Sequence, residues 1–242
     1  MGALFVMPIN QPAQKERFLT RSRMVSLVLG VLGILLLSSG LWMMRAPAEP
    51  PPDVGVDLSS LSLDGWDPSS VRQDYPVGKL VVTTDREDYQ SGDLRLLIPV
   101  LAQDLSVQDD VDSGSLRIGP GLYEYSQLPA ADTNANVSIA GHRDVEAAEF
   151  YYIDRLSDGD LMYLLYKETV YVYLYESTEI IQLDNWNPIA CKEYPCLTLT
   201  SCDPVGTFVN RIVVTGRLVD IWELNDQVVF AARADAEIFQ NR

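Results

Sequence analysis

The sequence predicts a mainly β domain of seven or eight short strands, either a closed barrel or a sandwich, behind one N-terminal transmembrane helix. Seven apolar runs of five to nine residues lie between residues 94 and 219, separated by turn residues. Long amphipathic helical periodicity is missing from that region. Many short strands with regular turn signals are typical of barrels and sandwiches. A stretch of 21 uncharged residues, 24–44, lies near the N-terminus.

This uncharged stretch predicts a membrane-spanning helix. As a helix it would be about 32 Å long, which matches the hydrocarbon core of a bilayer and exceeds a typical signal-peptide core. Four basic residues precede it, so the positive-inside rule places residues 1–23 in the cytoplasm and everything after residue 45 outside. We therefore expect a single-pass protein of the cell membrane. A buried helix of a soluble domain is the alternative for this stretch.

The charge is distributed unevenly along the chain. The net charge is −16, but residues 1–45 carry five basic residues and one acidic residue, so the remaining residues carry −20. So acidic a domain would repel the phosphates of nucleic acids, which excludes that class of partner. The proline-rich start of residues 45–92 predicts an extended linker and N-terminal extension. The compact domain is expected over 93–222, followed by a tail, 223–242.

Three of the predicted strands place chemically capable residues on one side. Side chains alternate between the two faces of a strand, and the apolar residues mark the core face. His142, Cys202 and Arg211 all fall on the opposite face, where most neighbours are small. A site outside the core is therefore permitted. The core-face residues of these three strands are Val137, Ile139, Gly141, Leu197, Leu199, Ile212, Val214 and Gly216.

These three residues have the chemistry of a nucleophilic site. A cysteine is a good nucleophile only as the thiolate, and a nearby histidine can take its proton and later protonate a leaving amine. His142 is the only histidine in the chain, so any such mechanism must use it. Arg211 stays protonated and can bind a carbonyl oxygen or a developing oxyanion. The trio predicts a transpeptidase or a protease, and a non-catalytic surface β-domain is the remaining alternative.

Four segments resemble the sortase family, with the order and rough spacing of its motifs over residues 93–222. They are the approach "LRIGPGLYEYSQLPAADTNA", the adjoining histidine segment "NVSIAGHR", the following "FYYIDRLSDGDLMYL", and "LTLTSCDPVGTFVNRIVVTGRL" with the cysteine and arginine. The "GPG" approach is most similar to the class D and class E groups. The resemblance implies a closed sortase-type β-barrel of about eight strands with short helices.

The same resemblance implies an activity and its partners. Cys202 would attack a threonine-type carbonyl in an LPXTG-like sorting signal, His142 would protonate the leaving amine, and Arg211 would hold the substrate and stabilise the oxyanion. Thr200 and Ser201 would contact the substrate. The protein partners would be surface proteins with a C-terminal sorting signal, and the acceptor an amine of peptidoglycan or of a pilin. A hydrolytic cysteine protease with the same trio is the alternative, and no cofactor is required.

Two other groups of side chains leave alternatives open. Cys191 and Cys196 lie five residues apart on the predicted extracellular side, where they would form a small disulfide or remain two free thiols. A zinc site is not expected, because the cysteine and histidine spacing does not suit one. Some sortases use calcium, and two acidic clusters are candidates for holding such an ion: Asp109, Asp110, Asp112, Glu176 and Glu179.

One aromatic pattern predicts a surface feature. Tyr171, Tyr173 and Tyr175 alternate along a predicted strand, so their side chains share one face. Aromatic pairs of this kind stabilise the exposed faces of sheets. We therefore expect the three tyrosines to form an exposed aromatic stripe.

Overall fold

The computed structural model describes residues 66–225, 228 and 230–234. The predicted spanning segment 24–44, the cytoplasmic segment 1–23 and part of the linker lie outside this described part. Within it, no helix is both long enough and apolar enough to cross a bilayer.

The described residues form eight strands with a few short helices between them. The strands are β1 (Leu94–Ile98), β2 (Gln103–Ser106), β3 (Gly121–Leu122), β4 (Asn136–Ala140), β5 (Leu161–Tyr166), β6 (Thr169–Gln182), β7 (Cys196–Asp203) and β8 (Asn210–Glu223). The α-helices are α1 (Thr84–Glu87) and α2 (Ser115–Ile118). Single 3-10 turns are formed by Pro68–Ser70, Pro99–Leu101, Ile153–Arg155 and Asn187–Ile189.

The strands make one curled sheet with the order β2-β1-β5-β6-β8-β7-β4-β3. All neighbours are antiparallel except β4 and β7, which run parallel. Strands β6 and β8 pair along 14 residues each, and the register between them shifts at Val172/Tyr173 and at Tyr175/Ser177. Because such irregularities bend a strand and increase its twist, the long β6–β8 pair lets the sheet curl around its core.

The two edges of the sheet meet at one point only. Gln108, which follows β2, forms an isolated parallel bridge with Gly121 of β3. The Gln108 N–H donates to the Pro120 carbonyl at 2.7 Å, and the Leu122 N–H donates to the Gln108 carbonyl at 3.0 Å. The described part of the chain is therefore a mainly β, curled half-barrel of eight strands. The expected full closure is not reached because β3 has only two residues and cannot form a ladder with β2.

The core lies inside the curled sheet, on the strand faces that the alternation of side chains predicted. Val137, Ile139, Leu197, Leu199, Ile212 and Val214 all belong to the main buried cluster, which confirms the predicted core face. Tyr171 and Tyr173 belong to the same cluster and are buried, and Tyr175 packs against it. The prediction of an exposed tyrosine stripe is therefore wrong. Strand β6 is paired on both edges, and its tyrosine face points into the curl.

The opposite face of β4 and β7 is covered at one end and open at the other. The side-chain amide of Asn136 donates to the carbonyls of Pro188 and Ala190, both at 2.9 Å. The Thr198 hydroxyl donates to the Asn136 side chain at 2.8 Å. The loop between β6 and β7 thus seals the first half of these strands. Their C-terminal ends remain uncovered, and the candidate site lies there.

Candidate active site

A groove of about 380 Å³ lies at the uncovered ends of β4 and β7 and the start of β8. His142, Cys202 and Arg211 all line it. Each of the three is half-buried, so it is held by the fold and still reachable from solvent. The structure therefore brings the three predicted site residues together from two strands, β7 and β8, and from the segment that follows β4.

Strand pairing explains why they meet. Cys202 of β7 lies directly opposite Arg211 of β8 in the antiparallel register. On the other side of β7, the parallel register aligns Ala140 with Thr200, and the Gly141 N–H donates to the Thr200 carbonyl at 3.1 Å. His142 follows by one residue, which places it beside the end of β7. Adjacency of β4, β7 and β8 is thus sufficient to assemble the trio.

Arg143 ties the histidine segment to the cysteine. Its side chain is 4% exposed. The Arg143 guanidinium donates to the Cys202 carbonyl at 3.2 Å and to the Asp203 carboxylate at 2.6 Å, and it lies 3.2 Å from the Asp154 carboxylate. Sequence reasoning missed this residue. The only available signal was its position directly after His142 in the "GHR" motif.

Burial and charge act on the Cys202 thiol in opposite directions. Burial is the larger effect and raises the pKa of Cys202, because the charged thiolate loses water. The positive charges of Arg211 and Arg143 lower this pKa in part, whereas Asp144 raises it. The thiol is therefore predominantly protonated at neutral pH, and a thiolate requires a nearby proton acceptor. His142 lines the same groove.

Tyr123, which follows β3, forms one wall of the groove. Its hydroxyl shares a hydrogen bond of 2.8 Å with the Thr200 hydroxyl, and burial raises the pKa of the phenol. Its ring meets Trp186 edge-on, with centroids 6.3 Å apart. The buried Arg86 holds this wall by donating to the Tyr123 and Leu122 carbonyls, both at 3.0 Å. The wall is thus rigid and largely apolar.

The rim of the groove exposes large apolar side chains. Trp186, in the loop after β6, is 53% exposed, and Phe208, in the loop after β7, is 64% exposed. Both line the groove. Exposed apolar residues clustered at a concave site are typical of a binding surface. A ligand with apolar side chains would therefore bury area here.

Thr200 and Ser201 also line the groove, but both hydroxyls have partners within the protein. Thr200 bonds Tyr123, and the Ser201 hydroxyl donates to the Gly141 carbonyl at 2.7 Å. Both residues are buried. Ser201 thereby fastens β7 to the histidine segment.

The two remaining cysteines are buried free thiols in the structure, which is one of the two alternatives that the sequence leaves open for Cys191 and Cys196. The two residues are held by different elements. The Cys191 carbonyl accepts from the Gly78 N–H, and the Cys191 N–H donates to the Lys79 carbonyl. Cys196, the first residue of β7, donates its N–H to the Ala135 carbonyl instead. Burial raises the pKa of both thiols, that of Cys196 to about 12.

Three of the five acidic residues considered for calcium accept hydrogen bonds from protein groups. Glu176 accepts from Arg217 at 2.6 Å and from the Tyr194 hydroxyl at 2.6 Å. Asp109 accepts from the Ser91 hydroxyl at 2.8 Å, and Asp112 accepts from the backbone of Gly114 and Ser115. Across the described ranges, no group of three His, Cys, Asp or Glu residues is arranged to hold a metal ion.

Comparison with known proteins finds one protein family. The sequence model described as "Sortase domain" matches residues 96–219. Sortase SrtE2 of Streptomyces coelicolor is 34% identical over 102 residues, which cover 38% of this chain and 40% of that protein. The match thus spans about two fifths of the length of this relative.

Solved structures share the fold. Sortase C-3 of Streptococcus pneumoniae is 26% identical, with a TM-score of 0.54 over 63% of this chain and 75% of that one. A lid mutant of sortase A from Corynebacterium diphtheriae is 21% identical, with a TM-score of 0.52 over 57% and 74% of the two chains. At 21% identity the likeness concerns the fold alone.

Proposed function

Because this chain belongs to the sortase family, we propose that it is a cysteine transpeptidase that cleaves an LPXTG-like sorting signal and transfers the cleaved protein to an amine. The observation that carries this proposal is the groove in which Cys202 and Arg211 of two paired strands meet His142, which follows the adjacent strand β4. The apolar rim beside them suits a peptide with apolar side chains. No cofactor takes part in the reaction.

The first half-reaction forms a thioester. The Cys202 sulfur attacks the scissile carbonyl carbon as the thiolate, the S–C bond forms and the C–N bond breaks. His142 gives the proton it carries to the leaving amine nitrogen. Arg211 presents a planar pair of donors to the carbonyl oxygen as that oxygen becomes negative. Because burial raises the pKa of Cys202, the thiolate is a minor species that depends on the charge of its neighbours.

The second half-reaction transfers the acyl group. An incoming amine attacks the thioester carbon and loses a proton to His142, and the Cys202 thiolate leaves. A new amide bond replaces the thioester, and no reactant other than the amine is needed. The acceptor amine belongs to peptidoglycan or to a pilin lysine, and the donors are surface proteins with a C-terminal sorting signal.

The proposal includes a membrane anchor at residues 24–44, with residues 1–23 in the cytoplasm and the catalytic domain outside. Its support is the 21-residue uncharged stretch and the basic residues before it. Protease added to cells without their wall should then digest the chain beyond residue 60 while leaving an N-terminal fragment in the membrane. Protection of the whole chain in sealed cells would contradict this orientation.

A product assay tests the reaction. The full-length protein in detergent is incubated with a sorting-signal peptide and a soluble amine, and products are identified by mass spectrometry. The amide adduct is expected, whereas a hydrolase would yield only the free acid and a non-catalytic domain would leave the peptide intact. Cys202→Ala should abolish turnover and His142→Ala should reduce it to background. Arg211→Lys should lower the rate by about 10²–10³-fold, as the loss of an oxyanion donor does.

The matched control replaces a cysteine outside the groove. Cys191→Ala removes a buried thiol that does not line the groove. This variant should retain activity. Loss of activity in Cys191→Ala but not in Cys202→Ala would show that Cys202 is not the nucleophile.

A further inference from the structure

The loop between β6 and β7, residues 183–195, forms one side of the groove but has little regular structure of its own. Leu183, Asn185 and Trp186 are exposed near its start, and all three line the groove. Apart from the 3-10 turn at Asn187–Ile189, these described residues form neither a helix nor a strand. The conformation of the loop therefore depends on its bonds to other parts of the chain.

Donors from outside the loop hold its second half through a row of backbone carbonyls. The side chain of Asn136 binds the carbonyls of Pro188 and Ala190. The next three carbonyls also have donors elsewhere in the chain: Cys191 accepts from the Gly78 N–H at 2.8 Å, Lys192 from the Asn134 amide at 2.7 Å, and Glu193 from the Gln73 amide at 2.5 Å. Two of these three donors belong to residues 72–79, a part of the expected linker and N-terminal extension.

Asn134, in the loop between β3 and β4, joins the segment 72–79 to the β6–β7 loop. The residue is 0% exposed. The Tyr75 N–H donates to its side-chain oxygen at 3.0 Å, and its side-chain nitrogen donates to the carbonyls of Tyr75 at 2.9 Å and of Lys192 at 2.7 Å. One buried amide thus satisfies both backbone groups of Tyr75 and one carbonyl of the loop.

The segment 72–79 lies on the surface and is attached through its backbone. Of its residues only Tyr75 is half-buried, and the others are exposed. The Arg72 carbonyl accepts from the Asn134 N–H at 3.1 Å, and the Lys79 carbonyl accepts from the Cys191 N–H at 2.9 Å. Because so exposed a segment adds little to the core, its bonds serve mainly the two loops that it connects.

We propose that Asn134 and the segment 72–79 position the β6–β7 loop for peptide binding, by holding its buried half so that Trp186 and its neighbours face the groove in one arrangement. This inference rests on the proposed function, because it concerns the same groove. Asn134 does not line the groove, so it acts through a loop that does. A loop that is ordered before its ligand arrives avoids part of the entropic cost of binding.

Hydrogen exchange tests the attachment without reference to activity. Exchange is followed by mass spectrometry on peptides that contain Cys191, whose N–H is bound to the Lys79 carbonyl, in the full-length protein in detergent. Asn134→Ala removes the bonds to Tyr75 and Lys192, so this exchange should become about 10-fold faster. Gln73→Ala removes one bond to the loop and should have a smaller effect in the same direction.

The matched control removes a buried hydrogen bond on the other face of the sheet. Tyr163→Phe loses the bond from the Tyr163 hydroxyl to the Ala231 carbonyl. It should lower the urea midpoint of unfolding, as Asn134→Ala does, but leave exchange at Cys191 as in the wild type. Equal exchange in Asn134→Ala and the wild type would overturn the proposal. If Asn134→Ala does not fold, Gln73→Ala decides in the same way, because Gln73 is exposed and lies outside the core.

Peptide turnover distinguishes positioning of the loop from a general loss of stability. Asn134→Ala should raise KM by about 3- to 10-fold and keep kcat within about 2-fold of the wild type, because the pairing of β7 with β8 that holds Cys202 opposite Arg211 is left intact. Tyr163→Phe should leave KM unchanged. A rise in KM in both variants, or an unchanged KM in Asn134→Ala despite faster exchange, would contradict the proposal.

The two measurements also separate this inference from the proposed function. Faster exchange at Cys191 in Asn134→Ala, in a protein whose wild type turns over no peptide, would support the attachment of the loop and refute the transpeptidase. Normal turnover and KM in Asn134→Ala would retain the transpeptidase and overturn the positioning role.

Discussion

At the level of single residues, the three cysteines differ in their exposure to solvent. Cys202 is half-buried at the groove, whereas Cys191 and Cys196 are 1% and 0% exposed. All three thiols have a raised pKa because of burial, and a positive charge partly opposes this increase at Cys202, through Arg211, and at Cys196, through Lys192. Exposure at the groove therefore singles out Cys202 as the reactive thiol.

Alkylation by iodoacetamide should reflect this difference. Cys202 should react much faster than the other two cysteines, and its rate should still rise with pH above about 8.5, where an ordinary thiol is half ionised. Arg211→Gln removes a charge that favours the thiolate, so it should raise the pKa of Cys202 further and slow alkylation at pH 8. Arg95→Gln, on the remote β1–β2 edge, is the control. Peptide mass spectrometry measures each rate, and equal rates for all three thiols would contradict the assignment.

A second prediction concerns Arg143. Arg143→Met breaks an ion pair whose guanidinium is 4% exposed and leaves the Asp203 carboxylate, 21% exposed, without it. The free energy of unfolding should fall by about 3 kcal/mol, as for other buried pairs that lose one partner. Arg72→Met is the matched control, because Arg72 also pairs with two aspartates but is 60% exposed, and its loss should cost far less than that of Arg143, since exposed ion pairs contribute little.

Urea unfolding of both variants measures these costs. Peptide turnover should also fall in Arg143→Met, because this side chain joins the His142 segment to the Cys202 carbonyl. Equal stabilities of the Arg143 and Arg72 variants would show that the buried pair does not hold the two segments together.

At the level of elements, the site depends on three adjacent strand ends and on the short edge strand beside them. Strand β3 has two residues, yet it leads directly into Tyr123, which forms a wall of the groove. Its position is set by its pairing with β4, by the bridge between Gly121 and Gln108 and by the carbonyls that Arg86 binds. A small change at this edge should therefore affect the groove.

Gly121→Ala tests this dependence. A Cβ atom at Gly121 would overlap the backbone carbonyl of Asp110, which no side-chain rotation can relieve. We expect a loss of about 3 kcal/mol in the free energy of unfolding and weaker peptide binding, seen as a higher KM. Gly114→Ala is the control, since the nearest atom to its added Cβ is the movable Asp112 carboxylate at 2.9 Å. Thermal unfolding and steady-state kinetics measure both, and a stable Gly121→Ala with unchanged KM would contradict the prediction.

At the level of the whole molecule, the outer face of the sheet is covered by the chain that follows β8. A second buried cluster contains Leu161, Tyr163, Val170 and Val172, and Phe230 meets the Tyr163 ring edge-on at 5.1 Å. The Tyr163 hydroxyl donates to the Ala231 carbonyl at 2.8 Å. Residues 230–234 therefore belong to the folded domain, beyond the predicted end of that domain at residue 222.

Truncation should separate stability from chemistry. A chain ending at Glu223 loses the Phe230 ring and the Ala231 carbonyl, which should lower the free energy of unfolding by about 3 kcal/mol or more. A chain ending at Ala234 keeps every described contact of this segment and should unfold like the full chain. Below the unfolding temperature of the shorter chain, iodoacetamide should still alkylate Cys202 at the normal rate, since none of the described residues beyond 222 lines the groove. Calorimetry and alkylation check the two parts, and equal stability of both truncations would contradict the prediction.

Local sequence patterns were sufficient for the strands that carry the site. Alternation located the cores of β4, β7 and β8 and their buried faces, because the period of a strand is set by its own backbone. The same patterns divided β6 into two strands, since the register shift near Tyr175 interrupts the alternation. They missed β2 and β3, which are short and have few apolar residues.

The sequence by itself determined the β class, the core face of three strands and the three side chains that face away from it. Only the tertiary structure decided that these strands are neighbours, that the tyrosines of β6 face inward, and that Cys191 and Cys196 are not bonded. It also decided that Arg143 is paired with Asp154 and Asp203. The physical reason is the separation along the chain of the residues that determine each property. Periodicity is a property of adjacent residues, whereas burial and side-chain pairing depend on residues as far apart as Arg143 and Asp203, which are 60 positions apart.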